Sequence, residues 1–377
     1  MNTILIIGVV QGIFLALLIL TKKKKNISDY LLSLNFLIFA TTTFLSFMEL
    51  YNRQNGYPYP AFLNSSPTVI FLHGPVIWFY VKSLTTKNFK FSKIDILHLI
   101  PFFIVSILLF SGQFLYPVET RIEIDINQSF KERLIYPVVI AGIAVSSHSY
   151  IFVAICRIKK YKDEIKSYFS EISGIGLDWL KFLLYTAVVL YAFNSLTYTL
   201  DYIWHLLPYS FMQSLAHAMA SFYVLTLAFF GLRQENVFIS MPVKMNLDKR
   251  QQSPSLNMNP NSKDSTFIND LLHYMQQNKP HLDQSITIAG LSGQLNTSPE
   301  YLSSILNVQL NKSFFDFINH YRIKEFKQKC KDPQNKDYTL ISIALDCGFS
   351  SKATFNRVFK NMTGYTPSQY LQKVSKN

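Results

Sequence analysis

Polar and basic side chains occur at helical spacing near the C-terminal end of the chain. Between residues 351 and 362, Phe355, Val358 and Phe359 fall on one apolar helix face. The positions that avoid this face can hydrogen-bond to bases or phosphates: Ser351, Lys352, Asn356, Arg357 and Lys360. An asparagine amide pairs with adenine, arginine pairs with guanine, and lysine commonly contacts phosphate. The pattern therefore predicts a DNA-contacting helix, and an ordinary solvated helix face is the alternative.

A second candidate helix precedes this one. Ser298 followed by Pro299 is typical of a helix start, and Leu302, Ile305 and Leu306 supply a buried face. Its candidate contacts are Ser298, Glu300, Ser303, Ser304 and Asn307. Residues 264–311 carry a net charge of −3, whereas residues 312–377 carry +7. Because phosphate attraction supplies non-specific affinity, we expect the second helical unit and the helix that connects the two units to anchor the domain, while the first unit adds modest discrimination.

Each candidate helix follows another short helix and a turn. The first apolar stripe consists of Ile288, Ala289, Leu291 and Leu295, and the second consists of Ile341, Ala344 and Leu345. Gly348 supplies a turn position where a positive φ is expected. Residues 313–331 are predicted to form one long helix between the two pairs. A helix, a short turn and a capped second helix form the arrangement that places one helix in a DNA major groove.

These segments resemble the AraC/XylS family of bacterial transcription regulators. The resemblance lies in IALDCGFSSKATFNRVFKNMTGYTPSQY (residues 343–370), supported by YLSSILN (301–307) and FFDFINHYRIKEF (314–326). It covers roughly residues 264–370 and implies two recognition helices presented to successive major grooves of one DNA face. The chain departs from the family pattern at Asn311, Phe326 and Ser304, where a glycine, a small residue and an arginine are usual. The FLHGP run at residues 71–75 is similar to membrane-anchored members of the family.

The N-terminal part of the chain has the composition of a membrane protein. Hydrophobic residues make up 49% of the chain and charged residues only 16%, and apolar runs long enough to cross a bilayer recur up to Leu232. We predict seven spans, near residues 3–20, 30–50, 68–84, 95–112, 134–156, 179–200 and 210–232. The third span is the shortest of them and contains Pro75.

Basic residues predict how these spans are oriented. With the N-terminus outside, the inside loops carry twelve lysines and arginines. The outside loops then carry four: Arg53, Arg121, Lys131 and Arg133. The positive-inside rule favours this orientation in the cytoplasmic (inner) membrane, and an odd number of spans places the C-terminal domain in the cytoplasm.

The predicted fold is therefore all-α. It consists of a seven-helix transmembrane domain (1–232), a flexible polar linker (233–263) and a cytoplasmic double helix-turn-helix domain joined by a long connecting helix (264–377). One exception is the alternating run RIEIDI at residues 121–126, which predicts a short strand in an outside loop.

The sequence has no motif typical of an enzyme, a metal site or a cofactor site, so we expect none of the three. Four of the five histidines in the apolar half are candidates for a metal site or a proton relay: His73, His98, His148 and His217. Their spacing matches no metal-ligand motif. They are expected to hydrogen-bond neighbouring helices, and a histidine-lined sensing cavity is the alternative.

The expected function is one-component signal transduction from the membrane to DNA. The expected partners are double-stranded promoter DNA, the lipid bilayer, the transcription machinery and an unknown small-molecule or membrane signal. A homodimer is a further expected partner, because two tethered tails raise the effective concentration at paired sites. Two alternatives stay open at this stage. One is a membrane-tethered regulator without sensing, released by proteolysis; the other is a transporter-like protein with an accessory DNA-binding tail.

Overall fold

The structure is a computed structural model that describes residues 2–204, 209–233 and 262–374. All regular elements in these ranges are helical, so the predicted all-α class is confirmed. The predicted linker, residues 233–263, lies outside the described residues except at its two ends. The chain divides into two compact units, Met1–Lys159 with Asp178–Ser240 and Lys160–Leu177 with Met241–Asn377. Residues 160–177, which the sequence placed with the N-terminal domain, thus belong to the C-terminal unit.

The helices up to residue 233 include several of membrane-spanning length. In chain order, all the α-helices described in this part are α1 (Asn2–Leu20), α2 (Ile27–Gln54), α3 (Ser66–Ile70), α4 (His73–Thr85), α5 (Ile100–Phe114), α6 (Val118–Ile126), α7 (Ile135–Lys166), α8 (Asp178–Trp204) and α9 (Tyr209–Arg233). A 3₁₀ segment, Lys93–Leu99, leads directly into α5. Among the described residues, six segments are long and apolar enough to cross a membrane: Thr3–Leu20, Ile27–Gln54, Lys93–Ser111, Ile135–Lys166, Asp178–Trp204 and Phe211–Phe230.

The predicted third span, residues 68–84, does not form one long helix. It is divided between α3 and α4, with a turn at Phe71 and Leu72. Pro75 lacks the amide hydrogen that would bond to the carbonyl of Phe71, and this accounts for the interruption. The predicted count of seven spans is therefore not confirmed, since six of the seven segments meet the length and hydropathy requirement.

The predicted strand at residues 121–126 is wrong, because these residues lie in α6. The position of α6 depends on tertiary contacts, which the alternation of apolar and polar residues does not reveal. The carboxylate of Asp125 is fully buried and accepts two hydrogen bonds from Arg53, at 2.8 and 2.9 Å, and one from Tyr57 at 2.9 Å. A second buried ion pair, Lys131–Asp201 at 2.6 Å, holds the segment before α7 to α8.

Three of the four named histidines hydrogen-bond a neighbouring helix or segment, as expected, whereas His148 lies 2.7 Å from the carbonyl oxygen of Ala144 in its own helix. His73 lies 3.1 Å from the hydroxyl of Thr42, His217 lies 2.7 Å from that of Ser46, and His98 lies 2.7 Å from that of Tyr150. These contacts join different helices and need no metal to explain them.

The second unit contains the C-terminal helices. They are α10 (Ser262–Gln277), α11 (Ile288–Gln294), α12 (Pro299–Ser304), α13 (Phe314–Lys329), α14 (Leu340–Asp346), α15 (Lys352–Thr363) and α16 (Pro367–Val374). A π-helical turn, Ile305–Gln309, continues α12. A cluster of buried side chains from α10 to α13, including Leu271, Leu291, Leu302 and Phe314, forms the core of the earlier half of the unit.

Candidate nucleic-acid interface

The turn between α14 and α15 has the backbone that the sequence predicts. Gly348 has a φ of +90°, and a Cβ added there would lie 2.4 Å from the carbonyl oxygen of His281. Only glycine satisfies both the conformation and the close approach. Ser351 then caps α15, because its hydroxyl accepts a hydrogen bond from the backbone amide of Thr354 at 3.2 Å. The start of α15 is therefore fixed by two local requirements.

One face of α15 packs against the connecting helix α13. Phe355, Val358 and Phe359 are buried, as predicted. The ring of Phe326, on α13, lies 4.7 Å from that of Phe355 and 5.5 Å from that of Phe359. Phe326, where the family usually has a small residue, is thus fully buried in an aromatic cluster. This cluster determines which face of α15 is left uncovered.

The uncovered face of α15 carries the predicted DNA contacts. Lys352, Asn356 and Lys360 are exposed and lie four residues apart, so they share one helix face. Arg357 is half-buried on the neighbouring row, and Ser351 stands at the N-terminus of the helix. The structure therefore brings this set together on a single surface.

The earlier helix pair, α11 and α12, is also joined by a short turn. More of its candidate residues already form hydrogen bonds within the domain. The hydroxyl of Ser298 accepts a hydrogen bond from the backbone amide of Tyr301 at 3.1 Å and so caps α12. The side-chain amide of Asn307 donates to the carbonyl and hydroxyl oxygens of Ser303, at 2.8 and 3.0 Å. Glu300 is exposed and Ser304 is half-buried. This surface offers fewer uncommitted donors than that of α15.

One predicted core position of α14 is wrong. Leu345 is 39% exposed, whereas Ile343 and Ala344 are buried. Because α14 has only seven residues, a small error in the assumed helix phase exchanges a buried position for an exposed one.

Sequence reasoning missed the loop at residues 167–177, here called the docking loop, which packs on the C-terminal helices. Its residue Phe169 forms an isolated antiparallel bridge with Thr287, the N-cap of α11. The backbone amide of Ile288 donates to the carbonyl of Tyr168 at 3.0 Å. No spacing or composition signal connects segments more than a hundred residues apart in sequence, so these contacts are visible only in the folded chain.

The docking loop also contacts a buried arginine of α13. Arg322 is fully buried, and its guanidinium donates to the carbonyl oxygens of His281 at 2.8 Å and Asp283 at 2.7 Å and to the hydroxyl of Ser170 at 3.2 Å. Burial lowers the pKa of Arg322 to about 10, partly offset by Glu171 and Asp283. The side chain is therefore still charged at neutral pH, and the backbone oxygens around it stabilise that charge.

Glu171 of the docking loop lies at the start of α15. Its carboxylate accepts a short hydrogen bond from the hydroxyl of Ser350, the residue before the N-cap. Burial alone would raise the pKa of Glu171, but hydrogen bonds from Ser350 and Ser173 outweigh it and lower the pKa. An ionised carboxylate thus stands at the N-terminus of α15, where the helix dipole favours a negative charge.

Comparison with known proteins identifies the C-terminal region. A family model described as a helix-turn-helix domain matches residues 291–373. An HTH-type transcriptional regulator of Staphylococcus aureus strain COL is 34% identical over 103 residues, which are 27% of this chain and 13% of that protein. The Msm operon regulatory protein of Streptococcus mutans serotype c is 24% identical over 117 residues, or 31% of this chain and 40% of that protein. The chain therefore spans less than half of either relative. No solved structure matches the chain.

Proposed function

Because the C-terminal region of the chain is a helix-turn-helix domain of the AraC type, we propose that the protein is a membrane-embedded, one-component transcription regulator. One observation carries the proposal. A single polypeptide combines six segments of membrane-spanning length with a DNA-binding domain whose second helix pair exposes a basic face. The alternative of a transporter with an accessory tail has no comparable support.

The proposed DNA contacts follow from exposure and charge. Lys352, Asn356 and Arg357 of α15 would reach base edges in a major groove, and Lys360 would meet a phosphate. The α12 surface, with Glu300 and Ser304, would lie in the next groove and contribute less. Both helix pairs are proposed to contact one face of promoter DNA.

The membrane location is supported by the outer surface of the first unit. Large apolar side chains are exposed there, such as Phe222 at 71%, Phe152 at 67% and Ile107 at 67%. So many exposed apolar side chains are costly in water and favourable in a bilayer. We expect lipid to cover this surface.

We further propose that α3 and α4 together make a seventh crossing. Residues 66–85 would reach about 30 Å as a nearly continuous helix at about 1.5 Å per residue, which matches the hydrocarbon thickness. With seven crossings, Lys22–Lys25 and the C-terminal domain both lie in the cytoplasm. With six crossings and a cytoplasmic C-terminal domain, the four lysines would face outward, against the positive-inside rule.

Cysteine labelling in intact cells tests this orientation. In a variant whose three native cysteines are serine, Lys23→Cys should be protected from a membrane-impermeant maleimide, because it is cytoplasmic. Asn127→Cys, in the loop before α7, should be labelled fully. Labelling of Lys23→Cys from outside would show six crossings instead of seven.

The docking loop favours a sensing module over a passive anchor. Residues 167–177 join two candidate spans, α7 and α8, and their backbone pairs with α11 while Ser170 contacts Arg322 of α13. A passive anchor needs no such contact. We propose that a signal in the first unit changes how well the loop docks, and so shifts the population of DNA-competent domains.

Glu171 provides a direct test of this coupling. In the proposed arrangement its carboxylate competes with DNA phosphate at the start of α15. We therefore expect Glu171→Gln to tighten DNA binding by about threefold to tenfold, the size of one charge-assisted hydrogen bond. Fluorescence anisotropy with the full-length protein at fixed salt measures the effect.

The matched control is Asp163→Asn, which removes the same charge from an exposed position in α7. It should leave the affinity within about twofold, because exposed ion pairs contribute little. Weaker binding by Glu171→Gln would mean that the docked loop supports DNA binding and does not oppose it.

The function itself is tested by fragment selection. Full-length protein in lipid nanodiscs is incubated with sheared genomic DNA of its source, and retained fragments are sequenced. The proposal expects a small set of fragments that lie upstream of genes and share a sequence. Retention without enrichment of any sequence would contradict it.

A further inference from the structure

The first unit contains a cavity of about 340 Å³, within the range of small-molecule sites. Its walls come from several helices and from the segments that join them. The lining extends along α7 from Ile135 to Ile151, about 24 Å of helix at about 1.5 Å per residue. Most of the wall is apolar, with Ile143, Leu184 and Val224 among the contributors. The cavity is therefore long and narrow, and its wall is apolar over most of its length.

Charged groups occur at one end only. Of the described residues that line the cavity, two are permanently charged, Arg121 and Arg133, and none is acidic. Arg121 is in α6, and Arg133 lies two residues before the start of α7. Tyr198, near the end of α8, and Gln213, near the start of α9, line the cavity as well. The polar end thus lies near the start of α7, the C-terminal part of α8 and the N-terminal part of α9.

Several polar atoms around the cavity have no partner among the described residues. They are the Nε of Arg121, the hydroxyl of Tyr136, the Oε1 of Gln213 and the hydroxyl of Tyr223. A buried polar group without a hydrogen bond costs about 1–3 kcal/mol. The carboxylate of Glu49 accepts hydrogen bonds from Gln213 at 2.8 Å and from the amide of Ser66 at 2.9 Å, and among the described residues it is not hydrogen-bonded to Arg121 or Arg133. Three of these groups, the Nε of Arg121 and the hydroxyls of Tyr136 and Tyr223, can donate a hydrogen bond to an acceptor on a bound molecule, whereas the Oε1 of Gln213 can only accept one.

We propose that this cavity binds an amphiphile with one apolar chain and one anionic head group, as in a fatty carboxylate. The head group would accept hydrogen bonds from Arg121, with Tyr136 as a further donor, and Arg133 would add positive charge. The chain would lie along α7 between the apolar walls. This inference rests on the proposed function, for which it names the class of signal.

Photo-crosslinking tests the site directly. The probe is dodecanoate bearing a diazirine on its chain, added to full-length protein in phosphatidylcholine nanodiscs, with labelled peptides identified by mass spectrometry. We expect labelling of cavity residues such as Ile143 and Leu184, and competition by dodecanoate or dodecyl phosphate but not by dodecanol. Equal competition by dodecanol would refute the head-group site.

Variants separate the site from general partitioning into lipid. The double variant Arg121→Gln, Arg133→Gln should reduce cavity labelling by about tenfold, as expected for the loss of charge-assisted hydrogen bonds. The double variant to lysine should retain most of it, which also shows that the fold tolerates change there. Ala187→Phe should block the cavity, whereas Lys90→Gln, at an exposed position outside it, should have no effect.

Labelling that persists in the glutamine variant, or that maps only to outward-facing side chains such as Phe152 and Phe182, would overturn the proposal. The measurement contains no DNA. A protein that binds the probe without selecting DNA would refute the proposed function alone, and the reverse result would refute the cavity assignment alone.

Discussion

Replacing Lys352 and Arg357 together with alanine should lower the affinity of the full-length protein for its selected DNA by at least about a hundredfold. Both residues lie on α15 beside its uncovered face, and the opposite face is buried against α13. A good base contact contributes about 1–3 kcal/mol, and two losses at separate positions add approximately. Equilibrium binding measured at one fixed salt concentration gives the change.

Two controls make the result specific. Lys331→Ala with Lys336→Ala removes the same charge from exposed positions between α13 and α14, and should reduce affinity for all DNA sequences by a similar, smaller factor. Ser304→Ala tests the earlier helix pair and should weaken binding only slightly. If Ser304→Ala weakens binding more than the double variant of α15, the assignment of α15 as the anchoring helix is wrong.

Arg322→Met should destabilise the second unit by about 3–5 kcal/mol. The substitution removes the donor to three oxygens, those of His281, Asp283 and Ser170, and leaves them buried without that donor. Hydrogen bonds to a charged group contribute about 1.5–3 kcal/mol each. Methionine fills much of the volume but offers no donor, so hydrophobic packing does not compensate.

The rate at which the thiol of Cys347 reacts measures this loss of stability. This thiol is fully buried, and burial raises its pKa to about 12, so it reacts with a maleimide only after local opening. In a protein with Cys156→Ser and Cys330→Ser, Arg322→Met should speed labelling of Cys347 by at least about a hundredfold. Lys324→Met, exposed on the same helix, should change it little. Equal rates in the two variants would show that the buried guanidinium does not hold the unit together.

Local features of the interface were predictable from sequence because each follows from a backbone requirement. Ser298 caps α12 as predicted, and Ser351 is the one of two candidate serines, Ser350 and Ser351, that caps α15, because the first amides of a helix need an acceptor. Gly348 has a positive φ, and Asn311, where a glycine is usual, adopts one of +49°. The apolar positions of α15 were predictable for a similar reason, since twelve residues are enough to fix the phase of a helix face.

The structural features that the sequence did not predict depend on tertiary contacts. The run at residues 121–126 alternates like a strand, yet it is helical where Asp125 binds Arg53 and Tyr57. The docking loop has no distinctive composition, and its contacts with Thr287 and Arg322 join residues far apart in the chain. Most of the cavity lining was not predictable from sequence, because it is drawn from helices across the whole first unit, although it includes His73 and His217, for which a sensing cavity was the alternative.

Crosslinking in intact cells determines whether one uncleaved membrane protein occupies specific DNA. DNA is crosslinked to the protein, the membrane fraction is isolated, and both the recovered DNA and the size of the crosslinked polypeptide are determined. We expect discrete promoter-proximal fragments attached to the full-length chain, and their loss in the Lys352→Ala, Arg357→Ala variant. Fragments recovered only with a shortened, soluble polypeptide would contradict this expectation and establish release by proteolysis instead.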